Sequence, residues 1–168
     1  GEGSIAGSIK EVLAKEQAKK VLVFTDKGII GAGLLNLLLD ALKEQGTAYE
    51  IFSDLRPEPS YEDVEKIRRQ AENSEGDLIV AVGGGSVMDC CKAISLGAVY
   101  DGDIWTDFWA KVGVITCEPL PLGMIVTAAG TGSECNGGSV ITNETVKIKC
   151  GKDYPQLNAR FAMLDPTY

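Results

Sequence analysis

Two glycine-rich turns carry the residue types best suited to chemistry. The first reads Gly83-Gly84-Gly85-Ser86-Val87-Met88-Asp89 and lies between an apolar run and a helical pattern. Three glycines strip the turn of Cβ atoms, so backbone N–H groups can approach a ligand closely. A helix starting there presents unpaired N–H groups and a partial positive charge, which together cradle phosphate. The spacing is not GxGxxG, and the turn lacks the lysine and spacing of a P-loop. The same residues also read as a plain capped turn, with Ser86 as N-cap and Asp89 as its capping partner. Both readings can hold together. The second turn, Thr127-Ala128-Ala129-Gly130-Thr131-Gly132-Ser133-Glu134, also follows an apolar run. It exposes backbone and adds three hydroxyls suited to ribose, amide or pyrophosphate. Its plain reading is a polar loop in which Thr131 or Ser133 caps a helix.

Asp26 directly follows the apolar run 21–25, which puts it at the same sheet edge as the glycine turns. A carboxylate there accepts hydrogen bonds from an adenosine ribose and repels a 2′-phosphate. An Asx turn before Gly28 is the plain alternative. Lys149 and Lys92 are the cationic candidates. Lys149 ends a hairpin and can reach back toward a cofactor, although solvation at the surface is a lysine's usual fate. The chain has no histidine, so the commonest general base and transition-metal ligand is missing. Five cysteines without a CxxC pair argue against a disulfide framework or zinc knuckle and for reduced thiols.

The elements that position these turns follow from periodicity. Residues 21–25 and 78–82 are short apolar runs of the kind found in buried parallel strands, and residues 49–53, 122–126 and 161–164 also read as strands. An amphipathic stretch from Leu34 to Glu44 closes at Gly46, as a helix with a glycine stop. Arg56-Pro57-Glu58-Pro59 is a turn. Ser60 then opens a helix with Asp63 as capping-box partner and Val64, Ile67 and Ala71 on one face. Val87, Cys91, Ile94 and Ala98 repeat at helical spacing. Residues 140–142 and 146–148 flank a polar turn and predict a β-hairpin. Residues 99–118 are the least regular part, where Trp105, Phe108 and Trp109 pack a long loop onto the core. Strands alternating with helices predict an α/β domain, a Rossmann-like, mainly parallel sheet flanked by helices.

The 168 residues suit one domain, and 45% hydrophobic with 24% charged residues is an ordinary soluble composition. Sixteen basic against twenty-four acidic residues give a net charge of −8, which repels nucleic acid but leaves room for a small anionic cofactor at a helix start. No run approaches the ~18 apolar residues of a membrane helix. With no basic-then-apolar leader at the start, a cytoplasmic location is the default expectation.

Taken in order, these residues resemble the iron-containing alcohol dehydrogenase family. The likeness rests on Gly83-Gly84-Gly85-Ser86 with Asp89 and Lys92 (GGGSxxDxxK), Thr127 through Glu134, Ser139-Val140-Ile141-Thr142-Asn143, and Phe161-Ala162-Met163-Leu164-Asp165-Pro166. Within the family, the bacterial butanol and primary-alcohol dehydrogenases are most similar. The resemblance implies a dinucleotide-binding domain over residues 1–168, from a parent that moves hydride between a primary alcohol or aldehyde and NAD. It implies that Gly84, Gly85 and Ser86 hold the pyrophosphate and that Thr127 and Thr131 line the rest of the cofactor site. Val140 and Lys149 would approach the ribose and nicotinamide. Asp26 would face the adenosine ribose and favour NAD over NADP. The family's iron or zinc is held by one aspartate and three histidines of a following helical domain. This chain has no histidine, and Asp165 belongs to a strand end, so metal and helical domain are expected outside these residues. The start, Gly1-Glu2-Gly3-Ser4, resembles the family just past its first strand, which implies truncation at both ends and an unpaired sheet edge. Dimers or larger homo-oligomers are expected of such a parent. A stand-alone nucleotide-binding module without catalysis fits the composition equally well. Ser86 and the Thr127–Glu134 turn argue against the glycerol dehydrogenase and dehydroquinate synthase group.

Overall fold

A computed structural model describes residues 1–168. Five parallel strands form the sheet: β1 (Lys20–Phe24), β2 (Ala48–Phe52), β3 (Leu78–Gly83), β4 (Leu122–Val126) and the last strand, Phe161–Leu164, in the order β2-β1-β3-β4-last. The three central strands, β1, β3 and β4, alternate between two buried faces, as period-2 geometry requires when both sides are covered. Val21, Val23, Val80 and Val82 point to one face. Leu22, Phe24, Ile79 and Ala81 point to the other. Helices α1 (Ser4–Glu16) and α3 (Asn36–Glu44) cover the first face, and the short α2 (Lys27–Gly31) precedes α3. Helices α4 (Tyr61–Asn73) and α5 (Gly85–Gly97) cover the second. The chain therefore leaves β1 toward one face and β3 toward the other, so a topological switch point opens between their C-terminal ends, where such sheets bind ligands. No helix is long and apolar enough to cross a membrane.

The two-stranded hairpin is antiparallel, β5 (Gly138–Asn143) with β6 (Ile148–Asp153), and the edge strand at Phe161–Leu164 is β7. Its second arm starts where sequence placed the arm's end, and Val146 lies in the turn. That arm reads Ile-Lys-Cys-Gly-Lys-Asp and is mostly exposed, so it carries no apolar signal. Residues 105–110, expected as loop, form a turn of π-helix with Trp105, Phe108 and Trp109 buried. They pack on the core as expected and also hold neighbouring backbone. Trp109 Nε1 donates to Ser139 O (3.1 Å), and Phe108 O accepts from the Tyr154 hydroxyl (2.8 Å). Ser60 caps α4 by accepting from Asp63 N (3.1 Å), but the Asp63 carboxylate turns to Arg56 instead of back to Ser60. All five cysteines are unpaired.

The sequence expectations include no helix over residues 4–16, although Ile5, Ile9 and Leu13 recur every fourth position and are buried. The start of α1 has no cap of its own: Gly3 sits at φ 73° and supplies no side chain. The acceptor comes from the far end of the chain, where Asp165 Oδ1 and Oδ2 accept from Gly3 N and Ile5 N, both at 3.1 Å.

The Thr167 hydroxyl, then the Ile5, Thr167 and Gly3 amides, hold the Asp165 carboxyl down to about 2. A carboxyl depressed below its unfolded value of about 3.9 stabilises the fold above that value and loses this as pH falls through its folded pKa. Asp165→Asn should therefore melt at lower temperature than the parent at neutral pH, with the gap closing between about pH 4 and pH 2. Circular dichroism melts across that range measure it. A gap independent of pH would refute the assignment.

Candidate functional site

The switch point is built around the start of α5. This helix is wedged between the sheet, α4 and the hairpin, and it is buried on nearly every side from Val87 to Gly97. Its N-cap is Gly84, in extended conformation (φ −91°, ψ −169°), and no side chain caps it. This corrects the expected Ser86–Asp89 capping box. Ser86 lies inside the first turn, and Asp89 looks outward, accepting from Ser133 Oγ (2.5 Å) and Val140 N (3.0 Å). The physical reason is packing. A Cβ on Gly83 would lie 2.7 Å from Val87 Cγ2, and one on Gly85 would lie 2.6 Å from Thr131 Oγ1, so only glycine lets the helix start this close to both. At Gly84 the nearest atom is Ala128 Cβ at 3.4 Å, an ordinary contact. Gly84 is thus the one of the three with room beside its backbone, while its two neighbours are glycine for packing. The amides of Gly85, Ser86 and Val87 donate to no protein acceptor. They carry the positive end of the helix dipole.

The second turn faces the first. Thr127 N donates to Gly83 O (3.0 Å), which carries the β3–β4 ladder one step past the strands. Gly132 adopts φ 67°, a left-handed conformation that favours glycine, and begins a 3₁₀ turn over Ser133–Cys135. Thr131 Oγ1 accepts from Ser133 N (3.3 Å), but no side chain caps the turn. Lys92, held as a cationic candidate for the cofactor or a surface lysine, is neither: it is completely buried beneath this turn. Its Nζ donates to Ser133 O (2.7 Å), Ser133 Oγ (2.9 Å), Asn136 Oδ1 (3.2 Å) and Gly138 O (2.6 Å).

Two adjoining cavities open at this edge and share Pro57, Gly85 and Ser86. The smaller, about 220 Å³, is lined by Asp26, Arg56 and Gly84–Val87. The larger, about 410 Å³, adds Glu58, Asp89, Thr131, Val140, Thr142 and Lys149. Their sizes suit a ligand of several rings. Eight of the nine candidate residues line them: Asp26, Gly84, Gly85, Ser86, Asp89, Thr131, Val140 and Lys149. Thr127 does not. It faces a separate hollow of about 220 Å³ at the ends of β4 and β7. Asp26 fills the plain role too, capping α2 by accepting from Ile29 N at Oδ1 (3.0 Å), while its second oxygen has no protein partner. Lys149 is largely exposed and pairs with Glu58 (3.6 Å) across the larger cavity.

Sequence reasoning missed Arg56 and Glu58 as residues lining the cleft. Arg56-Pro57-Glu58-Pro59 reads as a turn, and its place beside the glycine turns comes from β2 pairing with β1. Arg56 is spent on Asp63, Ser60 Oγ (2.8 Å) and Glu144 (3.0 Å). Glu62 accepts from Glu144 N, Thr145 N and the Thr145 hydroxyl and ties the hairpin turn to α4; its carboxyl stays below the usual range because these and its own amide outweigh burial. A further hollow of about 380 Å³ lies at the opposite edge, where β4 begins. Its cation, Arg160, is already shared by Glu16 and Glu118, and no helix start faces it. No three Cys, Asp or Glu side chains converge to hold a metal, and burial pushes the Cys90 and Cys91 thiols up.

The chain is similar to known proteins over nearly its whole length. The family model described as iron-containing alcohol dehydrogenase matches residues 1–166. Two probable NADH-dependent butanol dehydrogenases of Bacillus subtilis (strain 168) are 37% and 40% identical over 99% of the chain, which spans 42% of each. The crystal structure of NADH-dependent butanol dehydrogenase A from Thermotoga maritima superposes with a TM-score of 0.90 at 34% identity, covering 99% of this chain and 41% of that one.

The contact between the two turns predicts a specific coupling. Gly85→Ala should destabilise the fold by about 1–3 kcal/mol through overpacking against Thr131. Adding Thr131→Ala should return most of that loss. Urea denaturation of the single and double variants gives the coupling energy, and purely additive losses would contradict the packing argument.

Proposed function

The chain belongs to the iron-containing alcohol dehydrogenase family, and from that membership we propose that it forms the dinucleotide-binding domain of an NAD-dependent primary-alcohol dehydrogenase. The observation that carries this reading is the uncapped start of α5, set opposite a second glycine turn at the sheet's switch point. Three unpaired amides with the helix dipole behind them suit a pyrophosphate, and Gly84 lets it come close. The free oxygen of Asp26 suits a ribose hydroxyl and repels a 2′-phosphate. Arg56 lines the same cavity, but its ion pairs with Asp63 and Glu144 keep it from offsetting that repulsion.

Thr131 and Val140 line the larger cavity, where they suit the nicotinamide end, and Val140 offers an apolar surface there. Lys149, paired with Glu58 at the rim of this cavity, lies within reach of the ligand's ribose. Thr127 supports the site from the neighbouring hollow and does not line the main cleft. When bound, NAD supplies the hydride acceptor, and the protein's part is to hold and orient it. The side chains present do not fit the family's metal, so no step through it is assigned to them. The substrate, a primary alcohol or aldehyde, would meet residues outside this chain.

Titration of the 168-residue chain with NADH and NADPH, followed by nicotinamide fluorescence, tests the reading. NADH should bind at least about tenfold more tightly than NADPH. Asp26→Ser keeps a capping oxygen for α2 but removes the charge, and should narrow the ratio. Failure to bind NADH would sink the proposal, and a preference for NADPH would remove the role of Asp26. With iron or zinc added, the chain should oxidise no primary alcohol. Clear turnover would mean that catalysis does not need further residues.

A further inference from the structure

Resting on the cofactor reading above, we propose that Lys92 is a positioning residue for dinucleotide binding. Its buried ammonium fixes the separation of the two glycine-rich turns, acting through residues 133–138 without lining the cofactor cleft. An ammonium withdrawn from water is costly unless its donors are used. Lys92 has three N–H donors and meets four acceptors, all within Ser133–Gly138. No carboxylate comes within ion-pairing distance of it. Asp89, Asp153 and Glu134 act on its charge only from farther away, and burial holds its pKa below the ordinary lysine value. The charge is therefore solvated by the carbonyls and side chains of one loop, much as a bound cation would be. An ion pair with Asp89, one helical turn away, would satisfy the charge equally and leave the loop untied.

Asp89 is spent on the same loop. Ser133 Oγ donates to Asp89 Oδ1 and accepts from Lys92 Nζ, so one hydroxyl joins both side chains. Asp89 also accepts from Val140 N, and its carbonyl accepts from Ser139 Oγ (2.7 Å). The first two turns of α5 thus grip residues 133–140 at both ends. The first of those turns carries the unpaired amides of Gly85–Val87, and the gripped segment begins two residues after Thr131. Filling the space beneath the loop needs only an apolar side chain of lysine's size, which often serves stability as well as a buried charge does. An apolar side chain would leave the second turn's carbonyls without donors and the turn's height unset.

The test uses two probes, NADH, which spans both turns, and ADP, whose diphosphate rests on the start of α5 alone. In Lys92→Met, NADH affinity should fall about tenfold or more while ADP affinity changes by less than about threefold. Ser133→Ala removes only the shared hydroxyl and should shift the same ratio in the same direction by less. It also keeps the proposal testable if Lys92→Met does not fold. Ile94→Ala, buried in the core of α5 and lining neither cleft cavity, should lower the melting temperature and leave the NADH-to-ADP ratio unchanged. Equal losses of NADH and ADP, or unaltered NADH binding in both Lys92→Met and Ser133→Ala, would reduce Lys92 to a structural residue. If the unmodified chain binds neither ligand, the cofactor reading itself fails, and this inference falls with it.

Discussion

Three backbone amides at the start of α5 have no partner in the protein, and the surrounding structure holds them that way. A helix free to shift would recruit Ser86 or Asp89 as a cap, because an unmade hydrogen bond costs about 1–3 kcal/mol where water is excluded. Here α5 cannot shift. Its body is buried among β3, β4, α4 and the hairpin. Val87 sits where a Gly83 Cβ would be, and Thr131 where a Gly85 Cβ would be. Asp89, the natural cap partner, is occupied by Ser133 and Val140. The open cleft keeps the amides in contact with solvent, which makes the arrangement tolerable without a cap. Apolar burial sets the position of the helix, and that position leaves donors facing the place where a ligand would lie.

The cleft has a floor and a roof held by different forces. The floor, at the ends of β1 and β3, is fixed by strands buried on both faces. The roof is the β5–β6 hairpin, whose second strand is mostly exposed and contributes little to the core. It is fastened by polar contacts from four separate places: Lys92 and Asp89 from α5, Glu62 from α4, Arg56 from the turn after β2, and Trp109 from the π-helical turn. Polar fastening is directional, so it sets the roof's height as well as its presence. It is also the kind of order that a single substitution can loosen without unfolding the sheet.

This division explains what could be read from the sequence. The five parallel strands, α4 and the glycine turns announce themselves through apolar runs, periodicity and glycine, and they appear within a residue or two of their expected places. Apart from the second hairpin arm and the π-helical turn, the misread features depend on partners distant in sequence. The α1 helix is capped by Asp165, about 160 residues away, so no local signal marks its start. The Ser86–Asp89 spacing fits a capping box, yet Asp89 is claimed by residues 44 and 51 positions on. Lys92 looks like any surface lysine until the loop that buries it is placed. Of the Thr127–Glu134 motif only Thr131 lines the cleft, while Thr127 lies just past β4 beside β7 and, with Ala129, lines a different hollow. The motif located the site and could not orient each of its members.

The charge balance bears on how such a site can work. A chain of net charge −8 repels an anionic ligand at long range, but that repulsion is screened beyond about 10 Å in ordinary salt. At short range the cleft does not answer with free cations. Arg56 is committed to Asp63 and Glu144, and Lys149 is paired with Glu58. What remains is the dipole of α5 and its three amides, an attraction confined to the first turn of the helix. Such a site favours an anion whose charge sits at one point over one with charge spread along its length. A second phosphate on the ribose would find Asp26 beside it with no free guanidinium within the same cavity. The proposed preference for a singly placed diphosphate would thus come as much from how the neighbouring ion pairs are already spent as from the glycine turns.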